Sequence, residues 1–199
     1  MPAQALDISR RDAILAAALA LFDADGYAVT TMSAVQRAAR ASTGSLYHHF
    51  PSKAHLAAEL QVRALTDYRD GLLTALDNGD ADDAEGGVRA VVHFHLRWVT
   101  DNLDRARLLY TLHDPQVSEL AAERIEAVNT VLFDDVGSWY ERQRSSGRVR
   151  DVPIHVLSSV WIGPAQEIGR THLTRQYDPA GVLEFADDLA TAAWHALRA

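Results

Sequence analysis

The sequence has no cysteine, a single lysine, two methionines and no long apolar run. Without cysteine there is no disulfide, no thiolate metal site and no cysteine nucleophile. No stretch reaches the ~20 consecutive apolar residues of a membrane span, so no membrane partner is expected. Residues Met1 to Asp7 show no basic segment leading into an apolar one. No signal peptide is therefore read there, and a cytoplasmic protein is expected. A glycine-rich phosphate loop, a nucleophile elbow and a zinc-binding histidine-glutamate motif are also missing. The expectation is a protein with no catalytic residues, no metal ligands and no cofactor, which is not an enzyme.

Alanine is abundant, 33 of 199 residues, and 18 arginines stand against the lone Lys53. Alanine is the strongest helix former, and the six prolines and eleven glycines stand between stretches of helical periodicity. A chain of this length buries roughly 70% of its unfolded surface, enough for a core without staples. The formal charge of −8 argues against nucleic acid when taken whole. Its distribution does not. Residues 1–53 hold five basic and four acidic side chains, while the remainder holds fourteen and twenty-three. A near-neutral head on an acidic body suits DNA binding confined to the head.

The periodicity predicts about nine helices and no strands. Ser9-Arg10-Arg11-Asp12 reads as a capping-box start, with Ile14, Ala18, Leu21 and Phe22 inward and Gly26 as the stop. Thr30-Thr31 cap a second helix and Ser42 a third, from Thr43 to His49. A fourth runs from Pro51-Ser52 to the Asn78-Gly79 stop. Residues 79–87 read as an acidic, glycine-containing linker or a loosely capped helix start. The fifth, about 88–100, is apolar nearly all round and should be surrounded by others. Asp101-Asn102 cap a sixth, and Asp114-Pro115 open a long seventh ending at Ser146-Gly147. Pro153 opens an eighth, interrupted at Gly163-Pro164, and Asp178-Pro179 a ninth.

The informative stretch is 26–56. Two short helices joined by Arg40-Ala41-Ser42 have the spacing of a helix-turn-helix, at about 31–50. A major groove about 12 Å wide admits one helix. The second helix offers Ser42, Thr43 and Ser45 hydroxyls, the bare backbone of Gly44, and then Tyr47, His48 and His49. Lys53 follows at the start of the next helix, where phosphate is favoured. Arg37 is either a solvated residue or a phosphate contact.

Here the sequence resembles the TetR family of transcriptional regulators. The resemblance rests on Gly26-Tyr27, Thr30-Thr31, Val35, Ala39, the run Ser42-Thr43-Gly44-Ser45-Leu46-Tyr47-His48-His49-Phe50, Ser52-Lys53 and Leu56. It implies an all-α protein. An N-terminal three-helix head (8–68) is joined by the long fourth helix to a C-terminal ligand-binding and dimerisation bundle (69–199). It also implies a homodimer, a double-stranded DNA operator as partner, and in many members a small-molecule effector. Thr31 matches a phosphate contact, and Thr43, Gly44 and Ser45 the base-proximal positions. Tyr47, His49 and Lys53 match phosphate-facing positions, and Leu46 and Phe50 the core positions behind them. Two residues depart from the pattern. Arg40 stands where the family usually has glycine in the turn, and Gln36 where alanine is common. A left-handed conformation there costs a non-glycine residue on the order of 1 kcal/mol; Arg40 either bears that cost, offsets it by reaching a phosphate, or marks a different turn.

In the body, Phe94, His95, Trp98, Tyr110, His113 and Trp139 are expected to line a cavity, against the plainer reading of core packing. Leu157, Val160, Trp161 and Ile168 of the eighth helix and Phe185, Leu189, Ala193 and Leu197 of the ninth are expected to form the dimer surface. The function expected is a DNA-binding regulator, a repressor released by ligand. The alternatives are an activator or a regulator without an inducer and, in another class, a helical carrier or enzyme that has lost DNA binding.

Overall fold

A computed structural model describes residues 2–77, 83–175 and 179–199, with side chains for all of these except 2–9, 155, 174–175 and 179–180. The expected Asn78-Gly79 stop, the acidic run through Asp82 and the Asp178 helix start lie outside the described residues.

Among the described residues the protein is all-α, with eleven helices. They are α1 (Pro2–Asp25), α2 (Met32–Ala38), α3 (Thr43–His49), α4 (Lys53–Asp77), α5 (Ala84–Asp101) and α6 (Leu103–Thr111). These are followed by α7 (Pro115–Ser145), α8 (Ile154–Trp161), α9 (Gly163–Arg175), α10 (Pro179–Glu184) and α11 (Ala186–Leu197). Two expected helices are each divided in two. Gly163-Pro164 separates α8 from α9, because proline at the second position has no N–H to continue the ladder. Phe185, at φ −90° and ψ 0°, separates α10 from α11 with no proline or glycine to announce it. The helix α1 begins before Ser9, so Ser9 to Asp12 is not its start. No described helix is long and apolar enough to cross a membrane.

The chain divides into two compact units, Met1–Leu65 with Asp104–Glu126, and Thr66–Leu103 with Ala127–Ala199. The first boundary falls close to the expected residue 68. Residues 104–126, expected in the body, belong instead to the first unit. Their apolar residues Leu108, Val117 and Ala121 are buried in one core with Ile14 and Phe22 of α1, Val35 of α2, Leu46 of α3 and Leu56 of α4. Asp114 caps α7 as expected, accepting from the N–H groups of Gln116 and Val117 at 3.0 and 3.1 Å. Asn102, expected to cap α6, instead closes α5, its side chain donating to the Trp98 carbonyl at 3.0 Å.

Glu59 holds the first unit together electrostatically. Only 8% exposed, it accepts from Arg11 of α1 at 2.9 Å, Arg63 of α4 at 2.9 Å and Arg124 of α7 at 2.8 Å. Arg63 also reaches Asp12 at 2.7 Å.

The second unit is built around α5, with nine residues buried as its apolar surface predicts. The helix starts earlier than expected. Asp83 caps it by accepting from Gly86 N–H at 2.8 Å, so of the two readings of this stretch Gly86-Gly87 follow the helix start. A Cβ at Gly87 would fall within the Trp139 indole. A helix glycine costs roughly 0.5–1 kcal/mol against alanine; here it makes room for a buried tryptophan. That indole lies 5.3 Å from the Trp161 ring, and Trp161 N–H donates to the Val88 carbonyl at 3.0 Å.

This packing removes four residues from the expected dimer surface. Leu157, Trp161, Ala193 and Leu197 are 1–4% exposed within the unit's own core. Val160, Ile168 and Leu189 are half-buried against that core, and Phe185 is 53% exposed. Apolar spacing on α11 is satisfied largely by α5, and that on α8 by α11 and α9, of the same subunit.

Burial by itself raises a carboxylate pKa, but the hydrogen bonds from Arg124, Arg11 and Arg63 outweigh it and hold Glu59 at about 2. A folded-state pKa below the unfolded value adds stability above pH ~4.5, and that stability is lost as pH falls toward the folded value. Glu59→Gln should therefore destabilise the protein by on the order of 2 kcal/mol at pH 7, with the gap to wild type closing between pH 5 and 2. Urea unfolding across that range measures it; a gap independent of pH would refute the assignment.

Candidate nucleic-acid interface

Two hydroxyl caps and one unusual turn set the geometry of α2 and α3. Thr31, in extended backbone, accepts from Ala34 N–H through Oγ1 at 3.2 Å, and Ser42 accepts from Ser45 N–H at 3.2 Å. Each satisfies one orphan donor of a helix start. Between them, Arg40 N–H donates to the Arg37 carbonyl and Ala41 N–H to the Gln36 carbonyl, at 3.1 and 3.0 Å. This pair of bonds is a Schellman motif, which requires a left-handed residue just past the cap. That residue is Arg40, at φ +50°. The same motif closes α7, where the left-handed residue is Gly147 at φ +72°. The turn that sequence reasoning left open is thus made with arginine in the glycine conformation. Arg10 contributes to it, donating to the Arg40 carbonyl at 3.2 Å.

Leu46 and Phe50 are 0% and 2% exposed, fixing α3 against the core. The face opposite them carries the expected contacts. Ser42, Thr43, Gly44, Tyr47 and His48 are exposed, with Ser45 and His49 half-buried. Tyr47 is 49% exposed, a large aromatic left outside the core. A Cβ at Gly44 would meet nothing within 4 Å. The His48 and His49 rings stand 5.3 Å apart, edge to face. Thr31 and Arg37 are exposed at the two ends of α2.

Two residues do something the sequence did not signal. The Lys53 ammonium donates to the carbonyls of Tyr27 and Ala28 at 2.6 and 3.1 Å, and sits 4.4 Å from the centre of the Tyr27 ring. It braces the α1–α2 loop, with one of its three N–H donors left over. Gln36 spans the turn, its side-chain amide donating to Thr43 Oγ1 at 3.1 Å.

The expected cavity residues do not form one group. Phe94, His95 and Trp98 gather around Tyr68, whose ring centre lies 5.5, 5.7 and 5.1 Å from theirs. Tyr68, missed from sequence, pairs its hydroxyl with His95 Nδ1 at 2.9 Å. Its spacing from Leu65 and Leu72 on one helix face was the available signal. His95 is 2% exposed, and burial lowers its pKa to about 4, so it is neutral near pH 7. Trp139 packs on Trp161 and over Gly87, seven residues or about 10 Å along α5 from Phe94. Tyr110 and His113 belong to the first unit. Burial raises Tyr110 to about 12, and His113 is exposed.

Residues 14–60 match the family described as bacterial regulatory proteins, tetR family. The chain carries a TetR-family DNA-binding head. Its likeness to solved structures extends over nearly the whole length. A TetR family transcription regulator from Marinobacter aquaeolei VT8 superposes with a TM-score of 0.74 at 21% identity, over 98% of both chains. The fatty acid degradation regulator FadR of Bacillus halodurans gives 0.76 at 16% identity, over 93% of this chain and 94% of that one. FadR of Bacillus subtilis in complex with stearoyl-CoA gives 0.75 at 14% identity, over 92% and 97%. At these identities the likeness shows the TetR fold. No curated protein matches the sequence.

In this TetR head, Arg40 holds a conformation that disfavours a side chain by roughly 1–2 kcal/mol. Arg40→Gly should relieve it and raise stability by about 0.5–1 kcal/mol, the difference being glycine's greater freedom when unfolded. Arg40→Val, β-branched, should lower stability by more than 1 kcal/mol. Denaturant unfolding of both variants tests this; equal stabilities would show that the turn relaxes.

Proposed function

We propose that the protein is a cytoplasmic transcriptional repressor that binds a two-fold-symmetric DNA operator as a homodimer and is released by a small molecule bound in the second unit. The observation that carries the DNA-binding part is the outer face of α3. Thr43, Gly44 and Tyr47 are exposed there while Leu46 and Phe50 lock the helix from behind. Nothing within the subunit explains an exposed tyrosine beside a glycine with open space over it. A DNA backbone approaching Gly44 explains both. Thr43 and Ser45 read base edges. Thr31, Tyr47, His49, the spare donor of Lys53 and Arg37 position the head on phosphates. A single head touches few phosphates, so two are needed, with half-sites about 34–36 Å apart.

The experiment is retardation of duplexes selected from a random pool, repeated across salt concentrations. Lys53→Ala should weaken binding to all sequences and flatten the salt slope by about one unit. Thr43→Val should flatten the preference at one base pair and leave the slope alone. A slope unchanged in Lys53→Ala would leave that lysine as a loop brace only. Failure of the wild type to select any duplex would favour a carrier that has lost DNA binding.

For the effector, the supporting observation is the aromatic group of Tyr68, Phe94 and Trp98 around a neutral, buried His95. Such a group suits a mostly apolar molecule with a hydrogen-bonding end. A neutral imidazole does not favour an anion, so the polar end is a hydrogen-bonding group. The stearoyl-CoA bound by the Bacillus subtilis FadR is an acyl-chain ligand on the same fold. Lys53 and Tyr68 lie on one helix, fifteen residues apart. A ligand that displaces Tyr68 acts on the helix that begins at the head. Its effect equals its preference for the DNA-incompetent state, typically 1–3 kcal/mol. Calorimetry with stearoyl-CoA and related acyl compounds should show weaker binding to the DNA-bound protein by about 5- to 150-fold. Equal affinities would remove the release mechanism and leave DNA binding intact.

A further inference from the structure

We propose that Gln36 is a specificity-determining positioning residue: it holds the Thr43 hydroxyl as a hydrogen-bond donor toward the bases. The inference rests on the reading of α3 as the base-contacting helix. Gln36 lies in the last turn of α2 and engages the turn twice. Its carbonyl accepts from Ala41 N–H at 3.0 Å, and its side-chain amide donates to Thr43 Oγ1 at 3.1 Å. The first bond fixes where Gln36 stands relative to α3. The second therefore reports on a rigid pair rather than on two mobile side chains.

A threonine hydroxyl has one hydrogen to donate and two lone pairs to accept with. Left alone it serves donor and acceptor base edges alike, so it discriminates little. In helices it also divides between two χ1 rotamers. The Gln36 amide removes both freedoms. It holds the rotamer with Oγ1 toward α2, and it occupies a lone pair, leaving the O–H hydrogen to point elsewhere. Thr43 is exposed, and the direction left open is outward. A hydroxyl presented this way suits acceptor edges: purine N7, guanine O6 and thymine O4. Cytosine, which offers only its N4 amino donor in the major groove, is disfavoured on the contacted strand. Alanine at position 36 would leave Thr43 free, so Gln36 adds selectivity without touching DNA.

The test selects duplexes from a random pool with full-length wild type and the variants Gln36→Ala, Thr43→Val, Gln36→Glu, the double variant Q36A/T43V and the double variant Q36E/T43V. Gln36→Ala should flatten the preference at the same base pair as Thr43→Val, by about three- to tenfold, the worth of one hydrogen bond. The Q36A/T43V pair should flatten it no further. The salt slope should stay as in wild type, because no charge changes. Gln36→Glu places an acceptor where the donor was. The Thr43 hydrogen then turns inward, and the preference at that pair should move toward cytosine. Q36E/T43V should show no such move, which separates the relay through Thr43 from direct contact by the new carboxylate. A Gln36→Ala variant that keeps the wild-type preference while Thr43→Val loses it overturns the inference alone. So does a Gln36→Glu variant with unchanged preference. A wild type that enriches no duplex overturns the operator reading and this inference together.

Discussion

Three guanidinium groups from α1, α4 and α7 converge on the carboxylate of Glu59, which is almost wholly withdrawn from water. A buried ion stands only if its lone pairs are answered, and here each oxygen has at least one charged partner. The geometry of the first unit follows from that convergence. It ties α7 from Asp114 onward to the helices around which α2 and α3 pack. One of the three, Arg11, also lies 5.1 Å over the Phe50 ring. Phe50 ends α3, so the network that neutralises Glu59 also backs the recognition helix.

Much of the head was legible because its signals are local. A hydroxyl three residues before a free N–H makes a cap, and both Thr31 and Ser42 act so. The four-residue spacing of Leu46 and Phe50 puts both inward. Even the cost of arginine in the turn could be read, because the position demands a left-handed residue whatever its side chain. The contacts that Lys53 and Gln36 make within the head were not legible, for the opposite reason. Their partners, the Tyr27 and Ala28 carbonyls and the Thr43 hydroxyl, are set by tertiary geometry that no spacing rule encodes.

The second unit was legible as helices and much less as surfaces. Periodicity says which side of a helix is apolar, not whose apolar side it meets. Leu157, Trp161, Ala193 and Leu197 read as an interface because their spacing suits one, yet other helices of the same unit meet them first. Gly86-Gly87 left linker and helix start both open because glycine suits either, whereas a tryptophan elsewhere in the chain required Gly87. Any apolar residue of suitable size fills such contacts. Sequences can therefore drift to 14–21% identity while the fold remains superposable over more than nine-tenths of the chain.

Lys53 carries the only ε-amine in the sequence, and that amine is engaged with two carbonyls and a tyrosine ring at the edge of the head. Amine-directed acylating reagents would thus find one side-chain target, placed where the loop between α1 and α2 is pinned. Its rate of modification becomes a single-site gauge of that loop: slow while the carbonyls hold the ammonium, faster whenever the loop lets go. The eighteen arginines, inert to the same chemistry, add no side-chain background to that gauge.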